Sequence, residues 1–462
     1  MAKKRGFFFS SMTKIQRISD FQHEFSFSNP QEQFSIFFSR FLQGNLGKIY
    51  MAIPWNSLVK AFKLEDSKKG PCSLFSPRGK LALMFLKHYA GCSDRLLIEQ
   101  LNGNIDYQFF CDLYLGTARL ENYKIVSEVR CELAAKFSID QAQALLYDHW
   151  SAFIEDKDSI TMDATCYESE VRYPSNEKLL WECVHWNYKQ LRAFCKVLKQ
   201  PMPRTKYSKW KKRYVSYSKM RKKSIKKRKG LTRSLLLLLA KLNAELDKVE
   251  KQLRPLPVAY YRRRSTIKKV YVQQHQLFTM GKKPTARIIS LSKNYLRPIV
   301  RGKEVKAVEF GAKVHKFQVG GISFIEHVDF NAFHEGNRYK STLFKAQKMT
   351  RTKTKIVGAD GIYATNSNRK FSTTNNIRTD FKRKGRASKD EHQRKQLAAL
   401  ITKERASRLE GSFGKEKEHY HLKKIKARTK PTEIQWIFFG IHTANALEIG
   451  RRMYQKQQRL AA

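Results

Sequence analysis

The spacing of apolar residues predicts helices over the first third of the chain. From Gln31 to Asp148 the apolar positions recur at helical intervals. The pair Ser76–Pro77 predicts a helix start, because a serine hydroxyl can cap the first turn and a proline ring fits the first helical position. Gly91 predicts the end of that helix, and Ser93 predicts the start of the next. The two helices form either a helix-turn-helix that reads DNA or part of a small bundle that packs on the rest of the chain.

Two later segments are predicted strands that end in a carboxylate. Residues 159–165 are a short apolar run that leads into Asp163, and residues 355–361 lead into Asp360. A basic helix is expected from Arg405 to Lys417, with Glu410 near its middle. These three segments supply two strand-end aspartates and one helical glutamate.

Between the two aspartates, other patterns predict a hairpin and a long helical segment. Residues 313–319 and 322–329 alternate apolar and polar positions on either side of Gly320–Gly321, which predicts two strands joined by a tight turn. Residues 168–174 are read as a further strand closed by proline, and residues 176–199 as a helix. Beyond Asp360, residues 367–395 are basic and poor in apolar residues, and are expected to form a loop.

A leucine seam follows the helical segment. Apolar residues alternate at spacings of four and three, which predicts either a short coiled coil between two copies or packing on an antiparallel helix of the same chain, such as the preceding basic helix. The seam consists of Leu235, Leu239, Leu242, Leu246, Val249 and Leu253.

The order of elements predicts an α/β protein. We expect a ribonuclease-H-like mixed-sheet catalytic domain, interrupted by a long basic helical insertion and preceded by an all-α domain. The expected division is a leader at 1–30, a helical accessory or DNA-binding domain at 31–150, the catalytic domain at 151–200 and 305–462, and the insertion at 201–304.

Charge points to the class of partner. The 462 residues carry a formal net charge of +51, which favours contact with a polyanion, with DNA or RNA the first choice and an anionic membrane surface the weaker alternative. The seven cysteines have no zinc-ligand spacing, and no apolar run is long enough to span a bilayer. We therefore expect a cytoplasmic protein associated with the nucleoid and not with a membrane.

The strongest basic segment lies in the insertion. Residues 204–229 contain fourteen Lys or Arg and no Asp or Glu, and tyrosines and a tryptophan are interleaved among them. Basic residues mixed with aromatics are typical of nucleic-acid contact, the alternative being a solvated linker. The candidate contacts are Lys209, Lys211, Lys212, Arg213, Arg221, Lys222 and Lys223.

The carboxylates indicate metal-dependent phosphoryl transfer. Asp163, Asp360 and Glu410 would bind two Mg²⁺ ions, for which Mn²⁺ can substitute, because Mg²⁺ needs few protein ligands and keeps its waters. Other residues compete for the same roles: Glu404, Glu416 and Glu418 for the glutamate, and Asp158 and Asp329 for the aspartates. His419 and His421 are expected to be structural or to bind phosphate.

Three blocks resemble bacterial insertion-sequence transposases of the DDE type, in the broad superfamily of insertion sequences four and five. They are residues 163–165 with 172–176 and 179–180, residues 359–363 with Asn366 or Asn368 beyond, and residues 408–414 with Lys417. Residues 93–113 resemble the accessory domain at the N-terminus of many such enzymes.

The resemblance implies that Asp163, Asp360 and Glu410 are catalytic and that Lys417, Arg405 and Arg408 contact DNA. It further implies double-stranded DNA substrates, comprising element ends and target, and a homodimer on DNA. The family arginine four residues before the glutamate is absent, since Ala406 stands there. Two alternatives remain, an inactive or domesticated transposase that only binds nucleic acid, and a resolvase-like nuclease of the same fold.

Overall fold

The computed structural model describes residues 30–66, 73–253, 255–300, 307–385 and 390–461, with the side chains of 30–33 and 461 excepted. The leader expected at residues 1–30 therefore lies, apart from its last residue, outside the described part of the chain.

The first part of the chain is helical, as its apolar spacing predicts. The helices are α1 (Pro30–Gln43), α2 (Asn45–Ala52), α3 (Trp55–Ala61), α4 (Pro77–Ala90), α5 (Asp94–Gly103), α6 (Ile105–Phe110), α7 (Ile125–Lys136) and α8 (Ile139–Trp150). The Ser76 hydroxyl caps α4 by accepting a hydrogen bond from the Gly79 amide at 3.0 Å, and Gly91 ends α4 with a φ of 60°. Ser93 caps α5 in the same way as Ser76 caps α4. The predicted boundaries of both helices are confirmed.

These helices pack as a bundle on the last helix of the chain, α17 (Lys430–Ala461). Phe85 of α4 meets Phe439 of α17 edge to face, with ring centroids 4.9 Å apart. Residues 81–88 of α4 are buried without a break, so α4 is a core helix. The packing therefore favours the bundle over a helix-turn-helix that reads DNA.

A mixed sheet occupies the second part of the chain. Its strands are β1 (Ser159–Ser169), β2 (Pro298–Val300), β3 (Val308–Val319), β4 (Ile322–Asp329), β5 (Ile356–Ala359), β6 (Arg378–Thr379) and β7 (Lys424–Ile425). Strand β1 is central, with β3 antiparallel on one side and β5 parallel on the other. Strand β4 extends the antiparallel side and β6 the parallel side, while β2 and β7 are short additions to β3 and β1. The α/β class is confirmed, and the ribonuclease-H-like assignment stays a prediction.

Two local predictions are wrong. Strand β1 runs without a break to Ser169, so residues 168–174 do not form a second strand. The predicted loop at 367–395 contains helix α14 (Asn366–Thr374), strand β6 and the start of α15 (Glu391–Glu404). Helix α14 is capped by the Thr365 hydroxyl and is so polar that its sequence shows no apolar period.

The insertion has a hydrophobic core of its own. It is built by α9 (Asn176–Val197), α10 (Tyr207–Lys219), α11 (Ile225–Glu250) and α12 (Val258–Met280). The sequence predicted that the insertion begins at residue 201, where the charge changes. Because α9 belongs to this core, the core begins before that residue. The domain division as a whole stays a prediction.

The leucine seam lies on α11 and faces α9. Leu235, Leu239, Leu242 and Leu246 are fully buried. Asn187 donates to Asn243 at 2.8 Å and Gln200 donates to Gln252 at 3.0 Å, so α9 and α11 run in the same direction. The seam thus packs within one chain, but on a parallel helix and not on the antiparallel basic helix.

The closing helices follow the sheet. After α13 (Tyr339–Thr350), helix α15 passes through a π-helical turn at Arg405–Glu410 into α16 (Gly411–His419). In the part of the chain that the structure describes, no helix has both the length and the apolar content that crossing a membrane requires.

Candidate functional site

The site is organised by a gap beside strand β1. Strand β5 pairs with β1 only over residues 159–162 and stops at Ala359, and β7 pairs with β1 only at residues 168–169. Met162 lies level with Ala359, so Asp163 and Asp360 follow immediately where the pairing ends. Asp163 therefore lies within β1 just beyond the end of its pairing with β5. Asp163 and Asp360 are adjacent at the gap that β5 and β7 leave beside β1.

Asp163 is the more buried of the two. One of its carboxylate oxygens accepts a hydrogen bond from the Ala164 amide at 2.7 Å. Burial raises the pKa of Asp163 to about 6; the carboxylates of Glu335 and Asp360 act in the same direction, while the Ala164 hydrogen bond and Arg405 oppose them. A group in this position favours either a proton or a bound cation.

Asp360 is exposed and begins a turn. Its carboxylate accepts a hydrogen bond from the Gly361 amide at 2.6 Å, which caps a short 3₁₀ helix ending at Tyr363. The Tyr363 hydroxyl lies 2.8 Å from the His315 ring, and the Asn368 side chain donates to the Tyr363 carbonyl at 2.9 Å. The sequence analysis left Asn366 and Asn368 as alternatives. Asn368 is the one that supports the backbone just after Asp360.

The helical segment from α15 to α16 covers the face of β1 that carries Asp163. A Cβ added to Gly358 would meet both Ile401 of α15 and Thr161 of β1. At the other end, Lys417 of α16 donates to the Thr165 hydroxyl at 3.0 Å. Thr161, Asp163 and Thr165 alternate along β1 and so share one face. The segment crosses that face from one side of Asp163 to the other.

Glu410 lies on this segment, in the π-helical turn. Its side chain is 48% exposed, and its carboxylate accepts a hydrogen bond from Arg405 at 2.9 Å. Within the described ranges, no three His, Cys, Asp or Glu side chains are gathered closely enough to hold a metal ion. The structure thus brings Asp163 and Asp360 together and leaves Glu410 paired with Arg405.

Asp380 is a carboxylate that the sequence analysis missed. It follows β6 directly, as Asp360 follows β5, and its carboxylate accepts a hydrogen bond from the Ala359 amide at 3.1 Å. Burial raises the pKa of Asp380, and the charge of Asp360 acts in the same direction. The signal was present in the sequence, since residues 378–380 repeat the pattern of a strand that ends in Asp. The segment was read as a loop because a strand of two residues shows no period.

A buried ion pair fixes α16 beside Asp163. Lys316 lies directly across from Asp163 on β3, is fully buried, and reaches Glu416 at 2.6 Å. Glu416 also accepts a hydrogen bond from the Tyr167 hydroxyl. Glu416 is therefore committed to the support of the helix and is not available as a metal ligand.

The other competing carboxylates are also engaged elsewhere. Glu404 pairs with Arg408 at 2.8 Å and Glu418 with Lys423 at 2.8 Å, both at exposed positions. Asp158 precedes β1, at the opposite end of the β1–β5 pairing from Asp163, and pairs with Lys355. Asp329 ends β4, on the far side of β3 from β1.

The two candidate histidines differ in their surroundings. His421 packs on Trp436, and burial lowers its pKa to about 4. His419 is exposed.

The basic segment of the insertion turns its aromatic residues inward. Tyr207 stacks on Tyr188 of α9 with ring centroids 3.7 Å apart, and Tyr214 stacks on Trp181 at 4.9 Å. The aromatic residues are thus explained by packing between α10 and α9, and they give no support to base contacts. The basic residues remain on the outside: Lys209, Lys211, Lys212, Arg213, Arg221, Lys222 and Lys223 are all exposed.

Fold and site together describe an α/β protein with two adjacent aspartates, one within the central strand and one just after its parallel neighbour, and a glutamate on the covering helix. Two family models match the chain, "Transposase DDE domain" over residues 357–444 and "Transposase domain (DUF772)" over residues 41–131. Both models describe transposase domains, and the two matches together indicate an insertion-sequence transposase. The first match includes Asp360, Asp380 and Glu410, and the second spans most of the helical bundle. Neither a curated protein nor a solved structure gives a significant match.

Removal of the Glu416 carboxylate should destabilise the protein strongly. Glu416→Ala leaves the buried Lys316 charge without its partner, so we expect a loss of about 3–5 kcal/mol in the free energy of unfolding. Replacing Lys316 and Glu416 together by Met should recover much of this loss, although Tyr167 then lacks its acceptor. The measurement is urea denaturation. The matched control is Glu418→Ala, whose exposed pair with Lys423 should contribute little to stability because solvent screens it.

Asp163→Asn should stabilise the metal-free protein at neutral pH. A folded-state pKa of about 6 lies above the ordinary 3.8, so ionising Asp163 costs stability progressively as the pH rises from 3.8 to 6. The neutral amide avoids that cost, on the order of 1–3 kcal/mol at 1.36 kcal/mol per pKa unit. Urea denaturation in chelator from pH 4 to pH 7.5 should show a gain that disappears toward pH 4. A variant less stable than wild type at pH 7 would contradict the assignment.

Proposed function

We propose that this transposase binds the ends of its insertion sequence, cleaves DNA strands there and joins the 3′-hydroxyl ends to target DNA. The observation that carries the proposal is the pair Asp163 and Asp360 at the open edge of β1, beneath the helix that carries Glu410. The central β1, with an antiparallel hairpin on one side and two parallel strands on the other, supports a ribonuclease-H-like catalytic domain.

The carboxylates suit a divalent cation. Asp163 is half-buried; burial is the main cause of its raised pKa, the carboxylates of Glu335 and Asp360 add to it, and a bound cation would favour the ionised carboxylate. We propose Asp163, Asp360 and Glu410 as ligands of Mg²⁺, with Glu410 released from Arg405 when the site forms. Two such ions, or Mn²⁺ in their place, would supply activation of the attacking water or 3′-hydroxyl and stabilisation of the leaving oxygen.

Lys417 is placed to hold DNA at this site. Its ammonium reaches Thr165, two residues beyond Asp163 on the same face of β1. A lysine next to carboxylates can bind the phosphate that they process, because it brings positive charge to a phosphate that the carboxylates would otherwise repel. Arg408 is exposed and lies against the Gly320–Gly321 turn, and we propose it as a second phosphate contact.

The insertion offers a second DNA surface, the basic surface formed by the exposed Lys and Arg of residues 209–223. Acidic residues are absent from it, so attraction to phosphate is uncompensated. Joining two ends to one target requires two active sites, so we propose that a homodimer assembles on DNA. A protein with these substrates would act in the bacterial cytoplasm, at the nucleoid.

The catalytic assignment is tested by single alanine variants. Asp163→Ala, Asp360→Ala and Glu410→Ala should each abolish cleavage and joining of end DNA while binding stays intact or tightens, because a negative charge near phosphate is removed. Activity is measured on labelled end DNA with Mg²⁺ or Mn²⁺, and Glu418→Ala is the matched control. Wild-type protein that binds but never cuts would favour the domesticated binder. Cutting without joining would favour the resolvase-like nuclease.

The basic surface is tested by the salt dependence of DNA binding. Replacing Lys211, Lys212 and Arg213 together by Ala should reduce the slope of log affinity against log salt by roughly one unit for each lost phosphate contact. The control makes the same change in net charge at three exposed lysines away from the basic surface: Lys248 and Lys251 at the other end of α11, and Lys268 of α12, which pairs with Asp247 there. Equal slopes for the two triple variants would remove the basic surface from the interface.

A further inference from the structure

The helix that carries Glu410 contains an irregular turn. Between α15 and α16, residues 405–410 form a π-helical turn, a rare feature that often occurs at functional sites. In a regular α-helix, residues five apart lie about 140° apart around the axis, because each residue advances about 100°. Arg405 and Glu410 are five apart and yet in contact at 2.9 Å. The π turn is what brings the two side chains to the same side.

The turn also accounts for the missing arginine. The family motif expects an arginine four residues before the glutamate, where this chain has Ala406. Ala406 is exposed, whereas the Arg405 side chain is only 14% exposed. One extra residue in the turn therefore gives Arg405 the direction that the fourth residue before Glu410 would have in an α-helix.

On its other side Arg405 faces Asp380 in an ion pair, with no hydrogen bond from its Nε atom to any residue that the structure describes. The Arg405 Nε atom lies 3.9 Å from an Asp380 carboxylate oxygen, and Asp380 is fixed by the amide of Ala359. Contacts therefore run from the end of β5, through Asp380 and Arg405, to Glu410. The guanidinium is enclosed between two carboxylates, which is unlike an arginine displayed to a DNA backbone.

We infer that Arg405 is a positioning residue, facing Asp380, which holds Glu410 in the π turn until the proposed metal site forms. The inference rests on the proposed function, because it gives Glu410 a role at the cleavage site. Arg405 also neutralises Glu410 and Asp380 and acts electrostatically on Asp163 until a cation takes over that role. It replaces the expectation that Arg405 contacts DNA.

Three variants separate this role from a general need for an arginine. Arg405→Ala should lower the rate of cleavage and joining at saturating end DNA by about 10²-fold, the scale of a misplaced catalytic group, with little change in DNA affinity. Arg405→Ala combined with Ala406→Arg should stay low, because position 406 faces solvent in the π turn. Deletion of Ala406 should retain most of the activity, since it converts the turn to an α-helix with Arg405 four residues before Glu410.

Hydrogen exchange gives a second readout that does not depend on activity. Arg405→Ala should speed amide exchange in residues 405–416, because the link from the turn to Asp380 is lost. The matched control is Lys423→Ala, which breaks an exposed pair at the end of α16 and should leave exchange in this segment unchanged.

The outcomes distinguish the two proposals. Inactive wild-type protein would defeat the proposed function, and exchange would still decide whether Arg405 holds the turn. Wild-type rates in Arg405→Ala, or rates restored by adding Ala406→Arg, would overturn the positioning role. Weaker DNA binding with an unchanged rate at saturation would also overturn it and would assign Arg405 to a phosphate contact.

Discussion

Each polar side chain on one face of β1 needs a hydrogen-bonding or charged partner, because the segment from α15 to α16 covers that face. Burying a polar or charged side chain is costly unless a partner satisfies it. Tyr167 and Lys316 meet this requirement through Glu416, and Thr165 through Lys417. Asp163 differs from them, since its neighbours include two further carboxylates. The covering segment provides partners for the other polar groups of this face, but Asp163 remains beside the carboxylates of Glu335 and Asp360. This difference distinguishes the site from the rest of the face.

Strand direction connects the site with the basic insertion. Strands β1, β5 and β6 are parallel; Asp360 and Asp380 directly follow β5 and β6, and Asp163 lies within β1 at the level where β5 ends. The insertion leaves the sheet from the carboxyl end of β1 and returns through β2 to β3. It therefore departs from the end of the sheet toward which β5 and β6 also run, where Asp360 and Asp380 follow those strands.

The sequence predicted those parts of the fold whose signals are local. The Ser76 cap, the Gly320–Gly321 hairpin and the two strands that lead to Asp163 and Asp360 depend on neighbouring residues, and the structure contains all of them. Asp380 was missed because its strand is too short to show a period. The partner of the leucine seam was misread because a seam shows only which face is buried, not which helix covers it.

The aromatic residues of α10 were misread for a related reason. Tyrosines among lysines are compatible both with base stacking and with packing on a neighbouring helix, and only the position of α9 decides between them. The π turn was invisible because it depends on the register of backbone hydrogen bonds, which the composition of residues 405–410 does not reveal.

The site is acidic and the insertion is basic, so the two have opposite effects on an approaching DNA phosphate. The chain has a net charge of +51, yet the pKa of Asp163 is raised. Screening limits exposed charges to a range of about 8 Å at physiological ionic strength, so burial and nearby carboxylates prevail at Asp163 over distant lysines. A DNA phosphate would be repelled by this acidic cluster unless a cation lay between them. If the proposed function holds, the basic insertion would attract DNA from a distance, and Lys417 and a bound cation would offset the repulsion of a phosphate close to Asp163. Close approach would then be favoured in the metal-bound state, in which phosphoryl transfer is proposed.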